Sequence, residues 1–454
     1  MPNERRVTRR AALATAVLLL CALTLILGYL NKARCAGAPF HPDGRSAVFD
    51  MAKDADVCYS DIQFLWLGRD IDNHVFPYID GTITPDGALI GGVVEYPVLS
   101  GVLMWLGALP AHSDAEFLRW SALLLAPFAL LTAWMLARLA GGAALLWAIG
   151  TPLVLYAFHN WELPVVCAAV AAVYVVAVPR WSLRTRGVAA AVLLGLGFCL
   201  KLYPGIFVLP LMAYVLTGGA EPDGKRDVRG ALLTGAAAAG TVILVNLPFA
   251  LAGFEGWRAS FAFQQLRRAD ITTNSLWYWG LRPLYPASEA GEENFQHTVS
   301  IASPLLILVS FALALWLGWR RGRSTGVYPW IGVSGAMLCG FLLFHKVHSP
   351  QYTLWLIPFL VLLVVPWWLV GAYLVADVAI GVGVFRYFYA LGTGEGVEPL
   401  ENVVQFGVWG RAVLLAVFFV LFVRAAQRDD RVTSAPRATA SPSRTPRPAP
   451  AGPR

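Results

Sequence analysis

One carboxylate in this chain sits in a setting suited to chemistry. Asp61 lies in Cys58-Tyr59-Ser60-Asp61-Ile62-Gln63-Phe64, within a loop that follows the first apolar segment. Ile62, Leu65 and Trp66 recur at helical spacing. That pattern predicts an amphipathic helix lying on a membrane surface, with Asp61 near its N-terminal end. A carboxylate held at the bilayer interface suits removal of a proton from an acceptor hydroxyl that meets a lipid-borne donor. A first-turn aspartate is also favoured by the helix dipole without any chemistry, and the sequence leaves both readings open. The same loop carries Asp43, Asp50, Asp54, Asp56, Asp70, Asp72, Asp80 and Asp86. These read as solvated charges or caps, with Asp56 next in line after Asp61.

Cationic residues gather at other span ends. Lys201-Leu202-Tyr203-Pro204 closes an apolar run. Lys201 there is a point charge suited to a lipid phosphate, or a lysine snorkelling to the interface. The corner Phe344-His345-Lys346-Val347-His348-Ser349-Pro350-Gln351-Tyr352 is the densest polar cluster between two apolar runs. Two histidines three apart, His345 and His348, with Lys346 between them, could hold a pyrophosphate or phosphate leaving group there, or the corner could be an ordinary polar turn. Metal binding is disfavoured, because no third ligand stands at a recognisable spacing and Lys346 would repel a cation. Arg267 and Arg268 could also meet an anionic donor, although arginine pairs in loops are common.

These residues need a scaffold, and the composition states which kind. The 454 residues are 57% hydrophobic and 14% charged, with a mean hydropathy of +0.60. Soluble domains carry about 25% charged residues, so the chain is an all-α polytopic membrane protein. Spans are expected near 11–30, 117–137, 142–158, 162–178, 187–202, 204–218, 231–252, 301–319, 327–344, 352–365, 367–386 and 405–424, about twelve in all. The apolar stretch 95–110 is expected not to cross but to lie against the interface, starting at Glu95-Tyr96-Pro97. Arg5, Arg6, Arg9 and Arg10 precede the first span, which reads as retained rather than cleaved.

Basic loops at Arg180–Arg186, Lys225–Arg229 and Arg320–Arg323, with the tail from Arg424, place both termini in the cytoplasm. The net charge of +7 sets this orientation and is no sign of nucleic-acid binding. The first loop (31–116), the corner Asn160-Trp161-Glu162, a second large loop (253–300), the corner 345–352 and the loop 387–404 then face outward. The membrane domain occupies 1–424, and 425–454 reads as a disordered cytoplasmic tail. Cys35 and Cys58 share the outer loop and either form a disulfide or remain free thiols. Walker A, dinucleotide-binding, HExxH and GxSxG signatures are missing, so a cytoplasmic nucleotide-sugar donor is not expected.

In the order and placement of these short motifs the chain resembles the actinobacterial polyprenol-phosphate-mannose-dependent mannosyltransferases, glycosyltransferase family 87 of the GT-C superfamily. The resemblance runs from about residue 11 to 424 and rests on Asp61, Glu95-Tyr96-Pro97, Asn160-Trp161-Glu162-Leu163, Lys201-Leu202-Tyr203-Pro204 and Lys346-Val347-His348-Ser349-Pro350-Gln351-Tyr352. Val98 stands where the family has a second proline, and Glu162 where it has an aspartate. The resemblance implies a GT-C-like fold and transfer of one hexose, mannose, from a polyprenyl-phosphate donor to a lipid or glycan acceptor on the outer face. It implies no metal and no cofactor. Asp61 would be the general base, Lys201, Lys346 and His348 would stabilise the phosphate, and Glu95, Tyr96 and Gln351 would position sugar or acceptor. Two other readings of the residues are a lipid-linked-sugar flippase and a non-catalytic envelope-assembly protein. Polar groups gathered on one face favour the enzyme.

Overall fold

The computed structural model describes residues 2–178, 180–221 and 225–428. The first helix, α1 (Pro2–Ala33), is followed by the irregular first loop. That loop contains α2 (Ala47–Ala52), α3 (Asp61–Phe64), a two-stranded antiparallel hairpin of β1 (Thr82–Ile83) and β2 (Leu89–Ile90), and α4 (Val98–Ala108). Then come α5 (Asp114–Ala140), α6 (Leu145–Ala148), α7 (Thr151–Tyr156), α8 (Leu163–Ala177), α9 (Leu183–Leu200), α10 (Val208–Leu216) and α11 (Val228–Ala252). The chain continues through α12 (Phe254–Leu266), α13 (Glu289–Thr325), α14 (Trp330–Phe344), α15 (Thr353–Leu362), α16 (Trp367–Thr393) and α17 (Val397–Arg424).

Among the described residues seven helical stretches are long and apolar enough to cross a membrane: Arg9–Ala33, Asp114–Ala148, Leu183–Leu200, Val228–Ala252, Glu289–Thr325, Trp367–Thr393 and Val397–Arg424. Shorter apolar helices fill the spaces between them. The polytopic helical class is therefore as the composition required. The crossing expected at 142–158 is not one helix. It runs as a 3-10 turn at Gly141–Ala144, then α6, then α7. Gly141 takes a positive φ of 58° that ends α5, and Gly150 followed by Pro152 interrupts the hydrogen-bond ladder again.

One expectation about the first loop needs correction. Helix α3 does not float on a lipid surface. Ser60 caps it by accepting from the Ile62 N–H at 3.2 Å. Its apolar stripe of Ile62, Leu65 and Trp66 is buried inside the protein, with Trp66 against Phe117 of α5. Four residues cannot present a membrane-binding face, whereas burying each of these side chains contributes about 2 kcal/mol. Helix α4 is too short to be among the seven spanning stretches and packs one face on protein: Val98, Ser100, Gly101, Met104, Gly107 and Ala108 are buried, and the Ser100 hydroxyl donates to the Leu200 carbonyl at 2.6 Å.

The first loop is fastened rather than loose. Cys35 is disulfide-bonded to Cys58, resolving the choice that the sequence left open. Arg45 reaches the Gln63 and Phe64 carbonyls and lies 3.5 Å from the Asp114 carboxylate. Helix α12 seats its backbone directly on the loop, since a side chain at Gly256 would collide with the Tyr78 carbonyl. At the other terminus, Ala426 and Arg428 pair with the backbone at Leu362–Val364, so the tail begins as an ordered return. Residues 429–454, most of the expected disordered tail, lie outside the described residues.

Candidate active site

The Asp61 backbone is set by a crossing of two distant segments. Its N–H donates to the His159 carbonyl at 2.8 Å, and the Ser60 hydroxyl donates to the Phe158 carbonyl at 2.7 Å. The first loop is thereby stitched to the corner between α7 and α8. Lys32, buried at the end of α1, donates to the Tyr59 carbonyl at 2.8 Å from the other side.

The carboxylate itself is gripped by two donors. The Tyr59 hydroxyl donates to Oδ1 at 2.9 Å, and the Asn160 amide donates to Oδ2 at 2.6 Å. The same Asn160 nitrogen donates to the Tyr96 hydroxyl at 2.8 Å, and the Asn160 carbonyl accepts from the Trp161 N–H. Burial, reinforced by the nearby Asp61 carboxylate, holds the Tyr59 and Tyr96 phenols well above their usual range, so both stay protonated. His159 Nε2 stands 4.0 Å from Asp61. Burial, then Lys32 and Lys201, keep its imidazole far below the usual value and neutral. The Asp61 side chain is 20% exposed, and that exposure faces a cavity.

The cavity has a volume of about 560 Å³ and gathers the ends of many elements at one end of the helical bundle. Of the residues singled out in the sequence, Asp61, Glu95, Tyr96, Lys201 and Gln351 line it. Phe64, Phe263, Phe385 and Phe388 supply apolar wall. A smaller extension of about 110 Å³ shares Glu95, Tyr96, Lys201 and Tyr352 with it and runs between Leu202, Phe261 and Phe341.

Most charges on the wall are already matched. Arg69 pairs with Glu95 at 3.0 Å, and Lys53 lies 3.8 Å from Asp54. Lys201 forms a buried, hydrogen-bonded pair with Glu162, whose other oxygen accepts from the Trp355 indole at 2.6 Å. The Lys201 ammonium also sits over the rings of Tyr96, Tyr352 and Trp355. Burial pushes the Glu162 carboxyl up, opposed by Lys201 and the indole. Lys201 is thus a locked counter-ion rather than the free point charge expected from its sequence position. Among the described residues lining the cavity, Asp61 is left as the carboxylate without a cationic partner, and Arg267 as the cation without a carboxylate.

Two expected phosphate ligands lie elsewhere. Lys346 does not line the cavity; its ammonium donates to the Gln265 carbonyl at 3.2 Å and so ties the turn to α12. His348 is buried behind the wall, with its N–H donating to the Thr273 carbonyl at 2.7 Å. Val347, Ser349, Pro350, Gln351 and Tyr352 face the cavity, while His348 turns from it, its backbone held by Thr273 and Arg411. His345 lines the cavity instead. Nothing local in the sequence shows that distant backbone contacts turn the second histidine away. His159, Asn160 and Glu162 were also given no role, although a polar corner between two apolar spans was signal enough to suspect them.

Comparison with known proteins bears on this arrangement. Residues 164–380 match the family model described as Mannosyltransferase (PIG-M). The matched segment begins just after Glu162 and includes Lys201, Arg267, His345 and Gln351. The crystal structure of ArnT from Cupriavidus metallidurans bound to undecaprenyl phosphate is similar at 15% identity, over 90% of this chain and 78% of that one, with a TM-score of 0.41. No curated protein matches the chain. Over residues 164–380 the chain is thus similar to mannosyltransferases, within a structure whose described residues include seven stretches long and apolar enough to cross a membrane.

Proposed function

We propose that this protein moves one mannose from a polyprenyl-phosphate donor to a hydroxyl of an envelope lipid or glycan, with inversion, on the extracytoplasmic face. The observation that carries the reading is Asp61: a carboxylate with two fixed donors, no lysine or arginine within ion-pair distance among the described residues, and its open side toward a large cavity at one end of an apolar bundle.

Asp61 takes the proton of the acceptor hydroxyl. The oxygen attacks the anomeric carbon from the side opposite the phosphate, and the carbon–oxygen bond to the phosphate breaks. Polyprenyl phosphate leaves with that electron pair. Arg267, the unmatched cation, and His345 stabilise the charge that develops on the phosphate. The Leu202–Phe261–Phe341 extension offers an apolar path for the first isoprene units. Glu95 with Arg69, Tyr96 and Gln351 meet the sugar and acceptor hydroxyls.

Sidedness follows from charge. Arg184 and Arg186 open α9, whose far end carries Lys201 at the cavity. The separation is about 25 Å along an 18-residue helix. Arg320, Arg321 and Arg323 end α13, next to the start of α14, whose other end leads into His345. The basic ends therefore lie opposite the cavity, which supports an extracytoplasmic site. Reconstituted in liposomes, the protein is expected to transfer labelled mannose from polyprenyl-phosphate-mannose but not from a nucleotide-mannose. Movement of the labelled lipid across the bilayer without transfer would contradict the proposal.

A further inference from the structure

Behind the cavity wall lies an ion pair with no part in the steps above. Asp377 in α16 and Arg411 in α17 are fully buried, with Nη1 3.8 Å from Oδ1. Arg411 occupies a seam of Val404, Val408, Leu415, Phe418 and Phe422, where α17 is otherwise apolar. A charge there costs several kcal/mol in desolvation, and replacing a buried pair by apolar residues is often neutral or stabilising. Stability alone therefore does not account for it.

Both partners reach for the same turn. Arg411 Nη2 donates to the His348 carbonyl at 3.2 Å, and the Thr353 hydroxyl donates to Asp377. These two anchor points bracket Ser349, Pro350, Gln351 and Tyr352, which line the cavity. The His348 N–H holds the Thr273 carbonyl, and the next residue, Asn274, also lines the cavity. On α16, Asp377 shares a face with Gly381, Val384 and Phe388, at i+4, i+7 and i+11. Gly381 abuts the Tyr156 hydroxyl, while Val384 and Phe388 line the cavity. One helix face thus runs from the ion pair to the active-site wall.

We infer that Asp377 and Arg411 are positioning residues that fix the 348–353 turn, and with it Gln351 and Tyr352, in the geometry used for sugar transfer. They touch no substrate; they act through the His348 carbonyl and the Thr353 hydroxyl. The inference rests on the proposed function for its consequence on rate, but not for its structural content.

The test compares wild type, Arg411→Met, Arg411→Lys and the double variant Arg411→Met/Asp377→Leu in lipid nanodiscs. Arg411→Met leaves Asp377 buried and unpaired and is expected to unfold more readily. The double variant removes both charges and is expected to fold with near-wild-type thermal stability. In it, backbone amides of 345–353 should exchange with deuterium about tenfold faster, the worth of one hydrogen bond to a charged group. Exchange in α16 and α17 should be unchanged. Its kcat for mannose transfer should fall by a similar factor, and Arg411→Lys should recover part of it. A double variant with wild-type exchange across 345–353 and wild-type kcat would overturn the inference and leave the pair as mere packing. Faster exchange in a protein whose wild type transfers no mannose would instead sink the proposed function, because exchange does not depend on the reaction.

Discussion

The Asn160 amide nitrogen donates to Asp61 at 2.6 Å and to the Tyr96 hydroxyl at 2.8 Å. One side chain thereby fixes the spacing between the carboxylate proposed as base and a ring proposed to face the sugar. The Trp161 N–H holds the opposite end of the amide, so a flipped amide would press its oxygen against the carboxylate.

Asn160→Ala should therefore leave the fold intact and lower kcat about 100-fold, since a displacement of about 1 Å carries a penalty of that order. Asn160→Asp should do more harm, because two carboxylates would face each other. Steady-state transfer assays at saturating donor, beside thermal melts of both variants, measure this.

The Glu162–Lys201 pair is buried, with Glu162 wholly enclosed and Lys201 at the cavity wall, so removing the lysine strands a buried carboxylate. Lys201→Met is expected to destabilise the protein by about 3–5 kcal/mol. Adding Glu162→Gln should restore most of that loss, and the double variant should keep measurable donor affinity, because Arg267 rather than Lys201 is assigned to the phosphate. Thermal melts and donor-binding titrations of the two variants distinguish this from a phosphate-binding Lys201.

The Cys35–Cys58 bond closes a loop with a sequence separation of 23 residues just before Asp61. Loop-closure entropy assigns it about 3 kcal/mol. Cys35→Ser/Cys58→Ser should lower the melting temperature, and reductant should reproduce the loss in wild type but not in the variant. Equal melting with and without reductant would show that the bond carries no stability.

Acid should loosen the turn beside the cavity. Burial, with Lys346 and Arg267 adding to it, lowers the His345 imidazole to about 4; an unfolded histidine titrates near 6.5. The folded value is the depressed one, so the unfolded chain binds more protons between these limits. Stability from this group is full above about pH 6.5 and is lost as pH falls towards 4. His159 and His348, also held neutral by burial, act in the same direction. His345→Gln should flatten the fall in melting temperature between pH 7 and pH 5, read by thermal melts across that range.

The helical membrane scaffold and part of the cavity lining were readable from residue order alone, because hydropathy fixes spans and span ends carry the polar groups. Asp61, Glu95, Tyr96, Lys201 and Gln351 were singled out and do converge. Two kinds of information were not readable. Pairing was one: Lys201 and Glu162 are 39 residues apart, and nothing local shows that one neutralises the other. Facing was the second: in a turn of irregular backbone, whether His345 or His348 points into the cavity depends on Thr273 and Arg411, from segments far along the chain. Broken helices mislead in the same way. The 142–158 stretch is apolar enough for one span, yet Gly150 and Pro152 divide it, and that break brings His159 and Asn160 to Asp61.

The most direct test of the account is single-turnover mannose transfer by the purified protein in liposomes, wild type against Asp61→Asn, with polyprenyl-phosphate-mannose and an envelope glycolipid extract as acceptor. The amide keeps the size of the side chain but cannot take a proton. The account predicts unchanged donor affinity and a rate about 10²–10⁴ lower. An Asp61→Asn protein that transfers mannose at close to the wild-type rate would contradict it.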